Sequence, residues 1–136
     1  MKPRTAALIL LASSPSRGSA AEAVANGLDL SKLPPAAGVP VDFARDVQPL
    51  LADRCIKCHG PEKQKGGLRL DTKAAAMKGG DDGKAIEPGK SADSPLIHFV
   101  GGLDEDKVMP PKGERLTAAQ VGLLRAWIDQ GANLYI

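Results

Sequence analysis

The chain has 136 residues, a length that suits a single domain. Its formal net charge is only +2 and aromatic residues make up 3% of it, so neither a basic surface nor an aromatic platform points to nucleic-acid binding. Two Phe, one Trp and one Tyr are few for a hydrophobic core. We therefore expect a bound cofactor to supply part of the apolar bulk.

Residues 1–23 resemble a secretory signal peptide. Lys2 and Arg4 give a positive start, residues 6–12 form a short apolar run, and small residues at 18–23 offer cleavage sites. The run is too short to span a bilayer, and no apolar run of spanning length follows it. We predict export to the periplasm or an equivalent extracytoplasmic compartment, as a soluble protein without stable membrane insertion. An ordinary disordered basic terminus is the alternative.

Residues 24–40 are rich in Ala, Gly and Pro and show no sustained period, which predicts a linker or an N-terminal strap. Residues 41–136 form the predicted domain. Its first helical region covers residues 41–58, with Asp42 as the N-cap. Pro49 falls inside the helical pattern, so we expect it to kink this region or to divide it into two helices.

The first helical region ends in Cys55-Ile56-Lys57-Cys58-His59, a C-x-x-C-H pattern typical of c-type haem attachment. Two thiols on one helical turn can both form thioether bonds with one porphyrin, and the adjacent imidazole can bind the iron. A thioredoxin-like redox site, a zinc site completed by His98, and chance are the alternatives. The first needs a βαβ pattern that this sequence lacks, and the second needs four ligands at an unusual spacing.

Capping residues predict three more helices: residues 73–78 after Asp71 or Thr72, residues 95–100 after Ser94, and residues 118–130 after a Thr117–Gln120 capping box. In the last of these, Val121, Leu124 and Ile128 share one apolar face. No alternating strand run of useful length appears, so the predicted fold class is all-α.

The order of these features resembles the class I cytochromes c, and more narrowly the planctomycete-type cytochrome c domain. The similar stretches lie within residues 41–133: 46–51 (DVQPLL), 54–62 (RCIKCHGPE), 65–71 (KGGLRLD), 88–90 (PGK), 94–97 (SPLI), 109–113 (MPPKG) and 127–132 (WIDQGA). The resemblance implies a small class I cytochrome c-like fold, with helices and loops wrapped around one covalently bound haem c.

With a haem present, His59 is the predicted proximal ligand of the iron. The acceptor for its other ring N–H is not identified, since Pro61 is the only proline nearby. The resemblance places the sixth ligand at Met109, on a Met-Pro-Pro segment between two helices. Met77 and His98 are the other candidates. We expect Met77 to pack on its alanine-rich helix and His98 to lie at the surface or at an edge.

Two further side chains are candidates for contact with the haem propionates. Arg69 can pair with a propionate or face the solvent, with Arg54 and Lys65 as alternative propionate partners. Trp127 can donate its indole N–H to a propionate, but we favour its packing of the last helix onto the first one, against Phe43 or Val47.

The sequence thus predicts an exported mono-haem cytochrome that exchanges single electrons with a redox partner protein, rather than an enzyme. A haem-based ligand-binding or sensing domain, or a weak peroxidase, is the alternative. It requires an open or labile sixth site, and His98 is the sole candidate for a distal acid–base residue.

Overall fold

The computed structural model describes residues 24, 25 and 27–133. Four α-helices dominate this part of the chain: α1 (Gln48–Arg54), α2 (Lys73–Lys78), α3 (Pro95–Val100) and α4 (Ala118–Asp129). Short 3-10 helices lie before and between them, and a π-helix directly precedes α1. Within the described residues the strands are β1 (Val24–Ala25) and β2 (Leu28–Asp29), an antiparallel pair with Val24 opposite Asp29.

The helix-rich architecture with little strand agrees with the predicted fold class, although the sequence did not indicate the β1–β2 pair. The predicted signal peptide at residues 1–23 lies outside the described residues. Among the helices of the described part, none is both long enough and apolar enough to cross a membrane.

Pro49 divides the first helical region in two, as predicted. A π-helix covers Phe43–Val47, and α1 follows it with Pro49 in its first turn, where proline is tolerated because that N–H has no partner within the helix. The Asp42 side chain accepts a hydrogen bond from the Arg45 N–H at 2.9 Å and caps the π-helix. Phe43 and Val47 are buried, so this short element points its apolar side into the core.

Helix α4 provides the centre of the core. Val121, Leu124, Trp127 and Ile128 are buried, which confirms the apolar face predicted for this helix. The Trp127 ring packs against Phe43, with 5.8 Å between the ring centroids. The predicted capping box is also present at its N-terminus. The first and last helical regions therefore pack directly on each other.

Residues 33–41 lie along α4 and overlap the predicted linker or N-terminal strap of residues 24–40. From here on, the strap means residues 33–41. The Ala37 N–H donates to Gly122 O at 2.9 Å, and Arg125 Nη1 donates to Pro34 O at 2.6 Å. A Cβ on Gly122 would lie 2.5 Å from Pro35 O, so only glycine allows this approach without movement.

The 3-10 helix Ser91–Asp93 is held on the same side of α4. The Ser91 N–H and Oγ donate to the two Asp129 carboxylate oxygens at 2.8 and 3.0 Å. Arg125 Nε donates to Ser91 Oγ at 3.0 Å, and the Gly89 N–H donates to Ile128 O at 2.7 Å. One guanidinium thus joins the strap, α4 and the segment before α3.

Ser94 occupies the N-cap position of α3, but its side chain does not cap the helix, contrary to the prediction. Its hydroxyl accepts from the Glu87 N–H at 2.9 Å and donates to Lys90 O at 2.9 Å. The backbone of the preceding turn folds over Ser94 and competes successfully for the hydroxyl. Pro95 begins α3 as predicted.

Candidate functional site

The C-x-x-C-H residues form a tight turn where α1 ends. Cys55 is the C-cap of α1, and its carbonyl accepts from the N–H groups of Cys58 and His59 at 3.2 and 2.9 Å. Both thiols are free; Cys55 is buried and Cys58 is half-buried. Both sulfur-bearing residues therefore lie on one turn, as two attachments to one planar group require.

The two thiols differ in their surroundings. Burial raises the pKa of the Cys55 thiol from 9.0 to about 11, and the nearby Arg54 charge offsets only part of this effect. Cys55 is therefore protonated at neutral pH. Cys58 is more accessible to solvent.

The chain after the motif folds back onto it. Cys58 O accepts from the Lys65 N–H at 2.9 Å, and His59 O accepts from the Leu70 N–H at 2.8 Å. Leu70 is buried in the core, so these bonds fix the motif against the body of the domain. The backbone carbonyls of Cys58 and His59 are thus satisfied by protein groups.

The His59 ring is different, because its Nδ1 is buried and has no hydrogen-bond partner among the described residues. Pro61 O, the nearby proline carbonyl, accepts instead from Gln64 Nε2 at 3.1 Å. A buried polar atom without a partner costs about 1–3 kcal/mol, which a ligand or an acceptor at this ring would offset. Two thiols, an imidazole and a thioether form the donor set of a c-type haem, so the residues present fit that group.

Met109 lies half-buried against the hydrophobic core, and its backbone N–H donates to Phe99 O at 3.0 Å. This bond anchors Met109 beside the C-terminal end of α3. Met77 is also partly buried against the core, which agrees with its predicted packing role. Two thioethers thus lie near the core. Of these two residues, Met109 is also held to α3 by a hydrogen bond from its own backbone N–H.

His98 is buried, with 4% of its surface exposed, so the prediction of a surface or edge histidine is wrong. Its Nε2 lies 2.6 Å from Ala92 O, because the 3-10 helix before α3 folds over the ring and satisfies it. Within the described ranges, no group of three or more His, Cys, Asp and Glu side chains is arranged to hold a metal ion. The zinc alternative with Cys55, Cys58, His59 and His98 is therefore not formed.

The two predicted propionate donors have protein partners. Arg69 Nε and Nη2 donate to the two Asp71 carboxylate oxygens at 2.9 and 2.6 Å, and these bonds lower the pKa of Asp71. Trp127 Nε1 donates to Asn133 O at 2.9 Å, while its ring packs on Phe43. The packing role favoured for Trp127 is thus present.

Sequence reasoning did not find the partners of Arg54. Its Nε donates to Asp53 Oδ2 at 2.7 Å, its Nη1 to Glu114 O at 3.0 Å and its Nη2 to Glu114 Oε2 at 3.2 Å. Arg69 and Asp71 are two residues apart, a spacing that places both side chains on the same side of an extended chain. Their contact was therefore detectable from the sequence. Glu114 is 60 residues from Arg54, and no local pattern indicates that contact.

A family model described as planctomycete cytochrome C matches residues 55–113. Neither the curated proteins nor the solved structures give a significant match. The matched stretch begins at the first cysteine of the motif and ends just after the Met-Pro-Pro segment, so it contains Cys55, Cys58, His59 and Met109. The match supports the planctomycete-type cytochrome c domain that the sequence resemblance predicted, and it indicates a haem-binding protein.

Proposed function

We propose that this chain is an exported mono-haem c-type cytochrome that carries single electrons. The observation that carries the proposal is the buried, unpartnered Nδ1 of His59 beside two free thiols on one turn. The family match supports a haem-binding domain whose role is electron transfer rather than catalysis.

In this proposal Cys55 and Cys58 attach one haem c, His59 is the proximal ligand and Met109 is the sixth ligand. The half-buried position of Met109 and its bond to Phe99 O support its role, because a ligand must be held in place. A c-type haem, when bound, supplies an iron that alternates between the ferric and ferrous states. The Met109 thioether would favour the ferrous state of a bound haem, and ligation by both His59 and Met109 would leave no site on the iron for a substrate.

The chain's own part is to hold the ligands and to exclude water. The apolar core reaches Cys55 and Leu70 directly, on both sides of His59 in the sequence. Arg69 and Trp127 are the proposed propionate donors. The Arg69 guanidinium would bond a propionate as well as Asp71, and the single indole N–H of Trp127 would be shared between a propionate and Asn133 O. A fixed, dry environment keeps the reorganisation on electron transfer small.

Export, with residues 1–23 as the signal peptide, follows from the same proposal, because c-type haem is attached outside the cytoplasm. The partner is a redox protein or oxidoreductase that docks weakly near the thioether edge. Lys57, Glu62 and Lys63 are exposed around the motif, so this surface carries both signs of charge. Such a surface favours a small transient contact over strong electrostatic steering.

The visible spectrum of the haem-loaded protein, with and without carbon monoxide, tests the proposal. We expect haem to stay attached after denaturation, and a low-spin spectrum with the weak far-red band of a Met–Fe(III) bond. Carbon monoxide should leave the spectrum of the reduced protein unchanged. The variant Met109→Ala should lose the band and bind carbon monoxide, because its sixth position is open.

The control is Met77→Ala, which removes a second half-buried thioether packed against the same core. It should lower stability but keep the far-red band. If the wild type binds carbon monoxide rapidly, the carrier proposal fails and the ligand-binding, sensing or weak peroxidase alternative replaces it. Loss of the haem on denaturation would overturn the thioether attachment itself.

A further inference from the structure

We infer that Arg54 is a positioning residue that holds the Met109-bearing segment against the C-x-x-C-H turn and so keeps the sixth iron position closed. The inference rests on the proposed ligation by Met109. Arg54 directly precedes Cys55 at the end of α1, whereas Glu114 lies five residues after Met109. A bond between them therefore joins the two parts of the chain that supply the haem ligands.

All three nitrogens of the Arg54 guanidinium make hydrogen bonds in this position. Its three nitrogens donate to Asp53 Oδ2, to Glu114 O and to Glu114 Oε2 at 2.7, 3.0 and 3.2 Å. Only 18% of the Arg54 side chain is exposed, against 85% for Glu114. The bond to the backbone carbonyl matters most, since a charged donor to a carbonyl holds the chain itself, whereas an exposed ion pair contributes little.

The segment that Arg54 contacts has few other attachments. Residues 111–115 are exposed, and Leu116 is the next buried residue after them. Within the described part of the chain, no other hydrogen bond ties residues 110–116 to a different segment. The Met109 N–H bond to Phe99 O holds one end, burial of Leu116 holds the other, and Arg54 holds the exposed stretch between them.

Opening of residues 110–116 would free Met109 to leave the iron, because a loop with few bonds opens at low cost. A lysine at position 54 carries the charge but cannot bond three acceptors in the fixed geometry of a guanidinium. The chemistry of the contact thus predicts that a positive charge at position 54 is not sufficient to hold residues 110–116 in place.

The test compares Arg54→Gln and Arg54→Lys with the wild type and with Arg45→Gln, all loaded with haem. Arg45 is the matched control, because its side chain pairs with the adjacent Asp46 and makes no hydrogen bond to a distant segment among the described residues. Two rates are measured on each protein: carbon monoxide binding to the reduced form, and cleavage after Lys112 by a lysine-specific protease, mapped by mass spectrometry. The far-red band and the circular dichroism are recorded alongside.

We expect both rates to rise about tenfold in Arg54→Gln, with a weaker far-red band and unchanged helix content. Arg54→Lys should give a smaller rise, and Arg45→Gln none. Equal rates in Arg54→Gln and the wild type would overturn the inference. Faster cleavage without faster carbon monoxide binding would also overturn the inference. In that case Arg54 holds the segment but has no effect on the sixth iron position.

The proposed function fails separately, because the wild type itself would then lack the far-red band and bind carbon monoxide rapidly. That result overturns the role of Arg54 toward the sixth position as well, whatever the cleavage rates. If Arg54→Gln does not fold, Glu114→Gln decides the question. It removes the exposed carboxylate and keeps the backbone carbonyl, so it should raise both rates by about twofold, and a failure to raise either rate would count against the inference.

Discussion

Substitution of Gly122 by alanine should destabilise the domain, although alanine is the better helix former. Gly122 lies inside α4, where a glycine normally costs about 1 kcal/mol relative to alanine. Here the added Cβ would lie 2.5 Å from Pro35 O in the strap. Because a backbone carbonyl cannot rotate away as a flexible side chain can, the strap itself must move.

The magnitude follows from the bonds that this movement weakens. A shift of about half an ångström takes the 2.9 Å bond from the Ala37 N–H to Gly122 O out of the normal range, at a cost of about 1 kcal/mol. The bond from Arg125 to Pro34 O, which has a charged donor, contributes about 1.5–3 kcal/mol and is weakened as well. After the helix-propensity gain of about 1 kcal/mol, we expect a net loss of about 1–2 kcal/mol.

Urea denaturation of the haem-loaded protein, followed by far-ultraviolet circular dichroism, measures this change in the free energy of unfolding. The matched control is Gly38→Ala in the same strap. A Cβ at Gly38 meets nothing within 4 Å and its φ is not positive, so this variant should be neutral or stabilised by about 0.4–1 kcal/mol. If Gly122→Ala is as stable as the wild type, the strap moves freely and its contacts with α4 do not stabilise the fold.

Three other predictions concern the site. His98→Leu removes the partner of the half-buried Ala92 carbonyl and should lower the free energy of unfolding by about 1–3 kcal/mol in urea titrations while the far-red band stays; loss of that band would make His98 a ligand. In the haem-free chain, iodoacetamide should alkylate Cys58 well before Cys55 at pH 8, and equal rates would contradict the burial argument. Since the folded pKa of Cys55 is raised to about 11, the unfolded state ionises first, so urea titrations should show the haem-free chain losing stability as pH rises from 9 to 11.

Features set by neighbouring residues were predictable from the sequence. The caps at Asp42, Thr72 and Thr117 and the bounds of α2 agree with the prediction, because a cap depends on residues within one turn. Division of the first helical region at Pro49 is equally local. The C-x-x-C-H turn is another local feature, since its three functional side chains lie within five consecutive residues.

Features that depend on how the chain folds back on itself were not predictable. The Ser94 hydroxyl and the His98 ring are satisfied by a turn that folds back on α3, and this fold-back leaves no periodic pattern. The carbonyl of Glu114, which Arg54 contacts, is 60 residues away along the chain. Pattern reasoning offered Arg54 as an alternative propionate partner because it considers charge and position, but not which carbonyls the tertiary structure brings near.

Helix α4 supports three segments that are far from it in the sequence: the strap, the π-helix that follows the strap, and the chain around Ser91. All three are hydrogen-bonded to α4 or packed on it, so the detachment of any one of them would break contacts that α4 makes. Residues 110–116, by contrast, precede α4 and depend on a single side chain for their hydrogen bonds to the rest of the described chain. The domain is thus divided into one large cooperative unit and one small stretch that can exchange its amide protons by sub-global opening. With Met109 as the proposed sixth ligand, ligand exchange at the iron would not require the rest of the fold to open.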